Sequence, residues 1–380
     1  MAACSPKDTD PRAVCAVRWF VVGGWWLVVG GEVIHGRVLA IVVCAAALSG
    51  CRAESAPPAT SVAAIVERSR VSMGSEVHLT AWTADERAAL AAFEEAFDEF
   101  DRLDALMSVW KPGSEVEQLN RSAGEKPVPI SRDMLDVLSM ARQTSEWTEG
   151  KFDVTFGVLS GLWKFDHDLD GNIPARADVL SRLPLIDYRQ LEVDVAKSTA
   201  FLKQKGMRVH LGGIGKGYAV DRASAILRGR GFNDFMIQSG GDLYVAGRRG
   251  DRAWRAGIQD PRGPDGTSFA AMDLTDSAFT TSGDYERFFM KDGHRYHHII
   301  DPDTGLPATG SRSVTIVART ATLADALDTG IFILGPEKGM ALIERLNGVE
   351  GVIVTGSNNV LVSSGLAGRL VVRSPPTDAP

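Results

Sequence analysis

No cysteine follows Cys51. All four, Cys4, Cys15, Cys44 and Cys51, stand in the first 51 of 380 residues. The body of the chain must therefore fold without a disulfide and without a thiolate-held metal. An ordinary apolar core has to do that work, and 44% hydrophobic with 23% charged residues is the composition for one. The same values exclude a disordered, collagenous or polytopic membrane chain. The length allows one large domain or two small ones. A formal charge of −7 offers no basic surface, which argues against nucleic acid as a partner.

The cysteines mark an amino-terminal segment of a different kind. Val38 to Ala47 is an apolar run of ten residues, the length of a signal-peptide core and too short to span a bilayer. It runs into Leu48-Ser49-Gly50-Cys51, which looks like a bacterial lipobox, small residues before a cysteine that is lipidated and becomes the mature N-terminus. The plain alternative is a buried strand with an incidental Cys. Residues 51–61 then read as a small, Pro-containing tether that cannot pack a core. Residues 1–32 fit poorly, because they add a second apolar stretch, Val14 to Gly30, ahead of a complete signal whose basic residue is Arg37. The true start is expected at Val33, with residues 1–32 upstream translation. The expected organisation is a signal region over 1–50, the tether, a folded domain over 62–372 and a flexible tail over 373–380.

Within the body, Val71 to Trp82 alternates loosely and reads as a strand. Thr83 and Glu86 have capping-box spacing, and Leu90, Phe93, Phe97, Phe100 and Leu103 recur at helical intervals, a core stripe. Asp133 to Trp147 and Gly215 to Arg228 read as helices. Phe235 to Gln238, Leu243 to Ala246, Trp254 to Gln259, Phe269 to Leu274 and Ser313 to Ala318 read as strands. Ala321 to Leu334 is a helix stopped at Gly335 and Pro336, and Val352 to Thr355 with Val360 to Val362 a final hairpin. Helices mixed with many short strands make the fold class α+β.

Several chemistries lose their usual signatures. Leu211-Gly212-Gly213-Ile214-Gly215-Lys216-Gly217 is not a Walker A loop, since Lys216 precedes Gly217 rather than Ser or Thr. Neither HExxH nor GxSxG occurs. What remains is a glycine-rich loop opening a helix, where backbone N–H groups and Lys216 can face an anionic phosphate; a plain turn is the alternative. Ser239-Gly240-Gly241-Asp242 is either a ligand-approaching turn or a tight hairpin. Asp325 and Thr329, at i and i+4, share a helix face. Carboxylate, hydroxyl, a backbone carbonyl and water form an all-oxygen set suited to Mg²⁺, against the alternative of a solvated face. His294, His297 and His298 stand close together among seven histidines. A neutral imidazole there can act as a general base, or the group is a surface cluster.

Taken together these segments resemble the ApbE family of flavin transferases from Val71 to Leu370. The matching pieces run in the family's order: Met73-Gly74-Ser75, Met107-Ser108-Val109-Trp110, Phe152-Asp153-Val154-Thr155 with Leu162-Trp163, and the loop from Leu211 through Asp221. They continue through Ser239-Gly240-Gly241-Asp242, Thr281-Ser282-Gly283-Asp284-Tyr285, His298 to Gly305, and Asp325-Ala326-Leu327-Asp328-Thr329. The resemblance implies mixed sheets with flanking helices around one flavin-binding cleft. It also implies a Mg²⁺-dependent enzyme that splits FAD, releases AMP and joins FMN through a phosphoester to a Thr or Ser of a target protein. By position, Asp325, Thr329 and the Gly213 carbonyl would hold Mg²⁺. Met73, Trp110, Lys151, Phe152, Asp153, His210, Lys216, Ile299 and Ile300 would line the FAD site, and His298 would be the base. The resemblance further implies targets among extracytoplasmic flavoproteins of respiratory electron-transfer complexes. With the lipobox, it places the protein in the cell envelope, anchored to a membrane through Cys51 and facing the periplasm.

Two positions depart from the family pattern. His210 stands where Asp is usual, which alters a contact to the FAD. Asp328 stands where Ser or Ala is usual, adding a carboxylate that either strengthens metal binding or faces water. Two other readings stay open on the sequence: a FAD pyrophosphatase that uses water in place of the target hydroxyl, and a flavin-binding lipoprotein without turnover.

Overall fold

The computed structural model describes residues 62–165 and 168–379. The expected signal region, the lipidation site Cys51 and the tether lie outside them. Among the described residues no helix is long and apolar enough to cross a membrane.

Eight strands form the main sheet: β1 (Ala64–Ser72), β2 (Ser75–Thr83), β3 (Phe235–Ser239), β4 (Asp242–Ala246), β5 (Ser277–Gly283), β6 (Ser311–Ala318), β7 (Glu350–Thr355) and β8 (Val360–Val362). They lie side by side in chain order, antiparallel throughout. Side chains alternate between faces along each strand. On β5, Ala278 joins the large core on one face, whereas Phe279 joins a separate core on the other.

The large core is capped by helices α1 (Glu86–Met107), α2 (Glu115–Arg121), α3 (Arg132–Trp147), α5 (Gly215–Gly229), α6 (Ala321–Leu334) and α7 (Pro336–Arg345). A short α4 (Arg176–Arg182) belongs to a smaller apolar group around Trp163. Phe93, Phe97, Phe100 and Leu103 are buried along α1, as their spacing predicts. Against the opposite face of the main sheet packs a three-stranded sheet of Trp254–Gln259, Ser268–Leu274 and Val371–Val372. The outcome is α+β, as expected: helices, large sheet, small sheet.

Local details differ from the sequence reading for identifiable reasons. The single strand expected over Val71 to Trp82 is two strands of a hairpin, turned at Met73 (φ 51°) and Gly74 (φ 70°). Two consecutive left-handed residues are what a two-residue hairpin turn requires, and the alternation continues across it. Helix α1 is capped by Asp85, whose carboxylate accepts from the Ala88 N–H at 2.9 Å. Thr83 instead accepts from the Asp85 N–H at 3.1 Å, so the expected capping box of Thr83 and Glu86 does not form. Helix α6 has the bounds expected of it, ending at Gly335 with φ 91°. Residues 373–379, expected as a flexible tail, are held by side chains of the body. Thr377 donates through N–H and Oγ1 to Asp260 at 3.0 and 2.7 Å, and Asn358 donates to the Pro376 carbonyl at 2.9 Å.

Candidate active site

Where β3, β4 and β5 meet the start of α5 and the middle of α6, the sheet carries polar groups in place of apolar ones. Ser239, Asp242 and Thr280 stand abreast on adjacent strands. Beside them opens a cleft lined by twelve of the residues expected there: Trp110, Lys151, Phe152, Asp153, His210, Gly213, Lys216, His298, Ile299, Ile300, Asp325 and Thr329. The thirteenth, Met73, stands apart from that lining. It sits in the β1–β2 turn, packs against the core and lies beneath the start of α5, its Cε 3.7 Å from where a Gly215 Cβ would be. Ser75, two residues on, lines the cleft instead.

The glycine-rich loop is shaped by close approach. A Cβ at Gly217 would lie 2.3 Å from the Ala321 carbonyl oxygen and 2.7 Å from the Asp325 Cβ, so only glycine lets α5 cross α6 here. The Gly217 N–H donates to Asp325 Oδ2 at 2.8 Å. Further along α5, Asp221 accepts from the N–H groups of Ala321 and Thr322 at 2.8 and 2.9 Å, tying down the first turn of α6. The two helices thereby deliver Lys216 and Asp325 to one point. A Cβ at Gly213 would stand 3.4 Å from Thr329 Oγ1, which brings that loop against the same turn of α6.

The electrostatics here are concentrated. Lys216 pairs closely with Asp242 and lies 3.8 Å from Asp325 Oδ1. Burial opposes its charge, but Asp242 and Asp325 outweigh burial and hold its pKa above the ordinary lysine value. Asp325, 3% exposed, is pushed upward by burial first and by Asp242 next. Asp328 is raised by burial and by Asp325. The helix face is therefore buried rather than solvated, and Asp328 does not face water: its Oδ1 accepts from Ser282 Oγ at 2.8 Å. Among the described residues no three His, Cys, Asp or Glu side chains converge as a metal-binding group. A cation at this point would be held by hydroxyl and carbonyl oxygens beside carboxylates, a hard-oxygen donor set that fits Mg²⁺.

The three clustered histidines separate cleanly. His294 is exposed on the hairpin of Phe288–Lys291 and His294–His297. His297 is buried, its Nε2 at 2.8 Å from the Ala308 carbonyl and its Nδ1 accepting from the Ile299 N–H, so it braces the turn. His298 lines the cleft, its Nδ1 buried and without a hydrogen-bond partner among the described residues. Burial, then the nearby Arg287, pushes its pKa down to about 3, so the imidazole is neutral throughout the physiological range.

Other cleft residues have roles the spacing does not disclose. Lys151 pairs with Asp301 and Asp303 at 2.8 Å each; burial opposes its charge and these carboxylates raise it. The Asp153 carboxylate accepts from the Thr155 N–H and hydroxyl at 2.8 and 2.6 Å and from the Tyr188 N–H at 2.8 Å. Burial raises its pKa to about 6. His210 accepts the Gly212 N–H on Nδ1 at 3.1 Å and stands edge-on to Phe156, so it holds the glycine loop in shape. Trp110, 51% exposed, is at the mouth of the cleft. Glu286, Arg287 and Phe165 also line it, residues that no local pattern singles out. Phe165 belongs to a stack with Trp163, Phe289 and Tyr296, centroids 5.3–6.1 Å apart.

The family model of the ApbE family matches residues 73–353. The chain belongs to the ApbE family. Among ApbE relatives, the FAD:protein FMN transferase of Treponema pallidum is 34% identical over 297 residues, covering 74% of this chain and 82% of that protein. That of Klebsiella pneumoniae is 31% identical, covering 78% and 91%. The crystal structure of the ApbE protein from Thermotoga maritima superposes with a TM-score of 0.74 at 30% identity, covering 80% of this chain and 99% of that one. The flavin transferase ApbE from Vibrio cholerae gives 0.73 at 28% identity, covering 81% and 99%.

Proposed function

We propose that this ApbE-family transferase is a Mg²⁺-dependent FAD:protein FMN transferase that releases AMP and leaves FMN on a Thr or Ser hydroxyl of a target protein. The observation that carries this reading is the meeting, in one cleft, of an oxygen-rich cation corner with a neutral imidazole. Asp325, Thr329 and the Gly213 carbonyl would hold Mg²⁺, which when bound supplies charge neutralisation on a pyrophosphate. Lys216 adds a fixed positive charge on the same side, kept in place by Asp242. His298 takes the proton of the attacking hydroxyl as the new phosphoester bond forms and the anhydride bond to AMP breaks; it lines the cleft as a neutral imidazole, the form able to accept a proton. Trp110, at the mouth, offers an indole face for a flavin or adenine ring.

The chain is further read as a lipoprotein anchored through Cys51, acting outside the cytoplasm on flavoproteins of respiratory electron-transfer complexes. The lipobox pattern and the family resemblance support that part. Fatty-acid labelling that is lost in Cys51→Ala tests the anchor. The catalytic reading is tested by incubation with FAD, Mg²⁺ and a target-domain peptide. Flavin fluorescence on the peptide with stoichiometric AMP is the expected result, abolished in Asp325→Ala. Free FMN with AMP would reassign the enzyme as a pyrophosphatase, and absence of AMP would refute catalysis.

A further inference from the structure

A cation held by Asp325, Thr329 and the Gly213 carbonyl leaves Asp328 without a role, although this side chain is only 1% exposed. Its Oδ1 lies 2.8 Å from Ser282 Oγ and 3.3 Å from Thr329 Oγ1, and the two hydroxyls are 3.0 Å apart. Three oxygens thus form a closed triangle. The two hydroxyls carry one proton each, so with Asp328 ionised two of the three edges can be hydrogen bonds and the third brings oxygens together with none between them. A cation bonding oxygen octahedrally at about 2.0–2.1 Å sets neighbouring ligands about 2.9 Å apart. The triangle has the dimensions of one face of such an octahedron.

A second observation lies on the same face of the sheet. Thr280, two residues before Ser282 and on the same face of β5, is fully buried, as is Ser239 across the sheet. Neither hydroxyl has a hydrogen-bond partner among the described residues. Buried hydroxyls are ordinarily satisfied, and a water on a cation beside Ser282 would supply what Thr280, on the same strand, lacks.

We propose that Asp328, with the Ser282 hydroxyl, supplies the remaining protein face of the cation site at Thr329, so that this chain binds its divalent cation through two carboxylates and holds it before FAD arrives. The proposal rests on the cation reading of Asp325 and Thr329 given above. It is tested on the full chain, free of FAD, by titrating Mn²⁺ and following the free ion by electron paramagnetic resonance. Asp328→Asn is expected to raise the Mn²⁺ Kd tenfold or more, at least the effect of removing an outer partner of a metal ligand, without lowering the Tm measured in EDTA. Ser282→Ala is expected to raise the Kd by a smaller factor. An Asp328→Asn protein that binds Mn²⁺ like the parent but melts earlier in EDTA would make Asp328 a structural acceptor and overturn the proposal. Should Asp328→Asn not fold, an unchanged Kd in Ser282→Ala overturns it. Asp325→Ala separates the two levels: loss of Mn²⁺ there, with retention in Asp328→Asn, sinks only this extension. Retention in Asp325→Ala, or no uptake by the parent, sinks the cation reading with it.

Discussion

Gly217→Ala is the sharpest test of how the fold builds the site. The added methyl would lie 2.3 Å from the Ala321 carbonyl oxygen, where ordinary contact begins at 3.4 Å. The shortfall is about 1 Å, and it is against backbone, which cannot swing aside as a side chain would. Helices α5 and α6 must part, and the Gly217 N–H bond that orients Asp325 must lengthen with them. Overpacking of this kind costs about 1–3 kcal/mol, offset by up to about 1 kcal/mol from exchanging glycine for alanine in a helix. A net loss of about 1–2 kcal/mol, the middle of that range, corresponds to a fall in Tm of roughly 1–3 °C for a folded body of about 310 residues. Displacing a ligand-bearing helix by about 1 Å is expected to lower kcat by roughly 10². Calorimetry and AMP release read the two effects. The control is Gly229→Ala at the far end of α5, where a Cβ meets nothing within 4 Å; it should raise Tm slightly and leave kcat alone. If Gly217→Ala behaves like that control, the argument that glycine here enforces the approach of α5 to α6 is wrong.

Three further outcomes follow from the cleft. His298→Ala should lower kcat by roughly 10² with FAD affinity little changed; loss of FAD binding instead would make His298 a ligand contact. Because burial depresses the folded pKa of His298 to about 3 from 6.5, the unfolded chain takes up a proton that the folded chain refuses as pH falls through that window. This residue therefore lowers stability as pH falls from 6.5 towards 3, and His298→Gln should flatten that part of a urea-denaturation pH profile. Asp153→Asn places an amide group among three donors and should cost about 1–3 kcal/mol in urea denaturation; a large rise in the KM for FAD at unchanged stability would show instead that the carboxylate serves the ligand.

The legible elements were those whose burial is one-sided. Helix α1 shows its stripe because Phe93, Phe97, Phe100 and Leu103 all face the large core. Helix α6 was readable in its bounds because an apolar run is closed by Gly335. Strand β5 escaped notice because its helix-facing positions are Ala278, Thr280 and Ser282, small or hydroxylated, which destroys the alternation that marks a strand. Those positions are polar because the site is there. The β1–β2 turn was hidden for a different reason: a two-residue turn does not interrupt the period-2 pattern on either side of it.

Sequence alone determined the fold class, the family and the residue types of the site, since apolar periodicity and ordered motifs are properties of the chain itself. Which of three neighbouring histidines faces the cleft, whether Asp328 meets water or Thr329, and that Asp153 spends its carboxylate on Thr155 and Tyr188 were decided only by tertiary structure. Each of these depends on what packs across from the residue, and those partners come from distant parts of the chain.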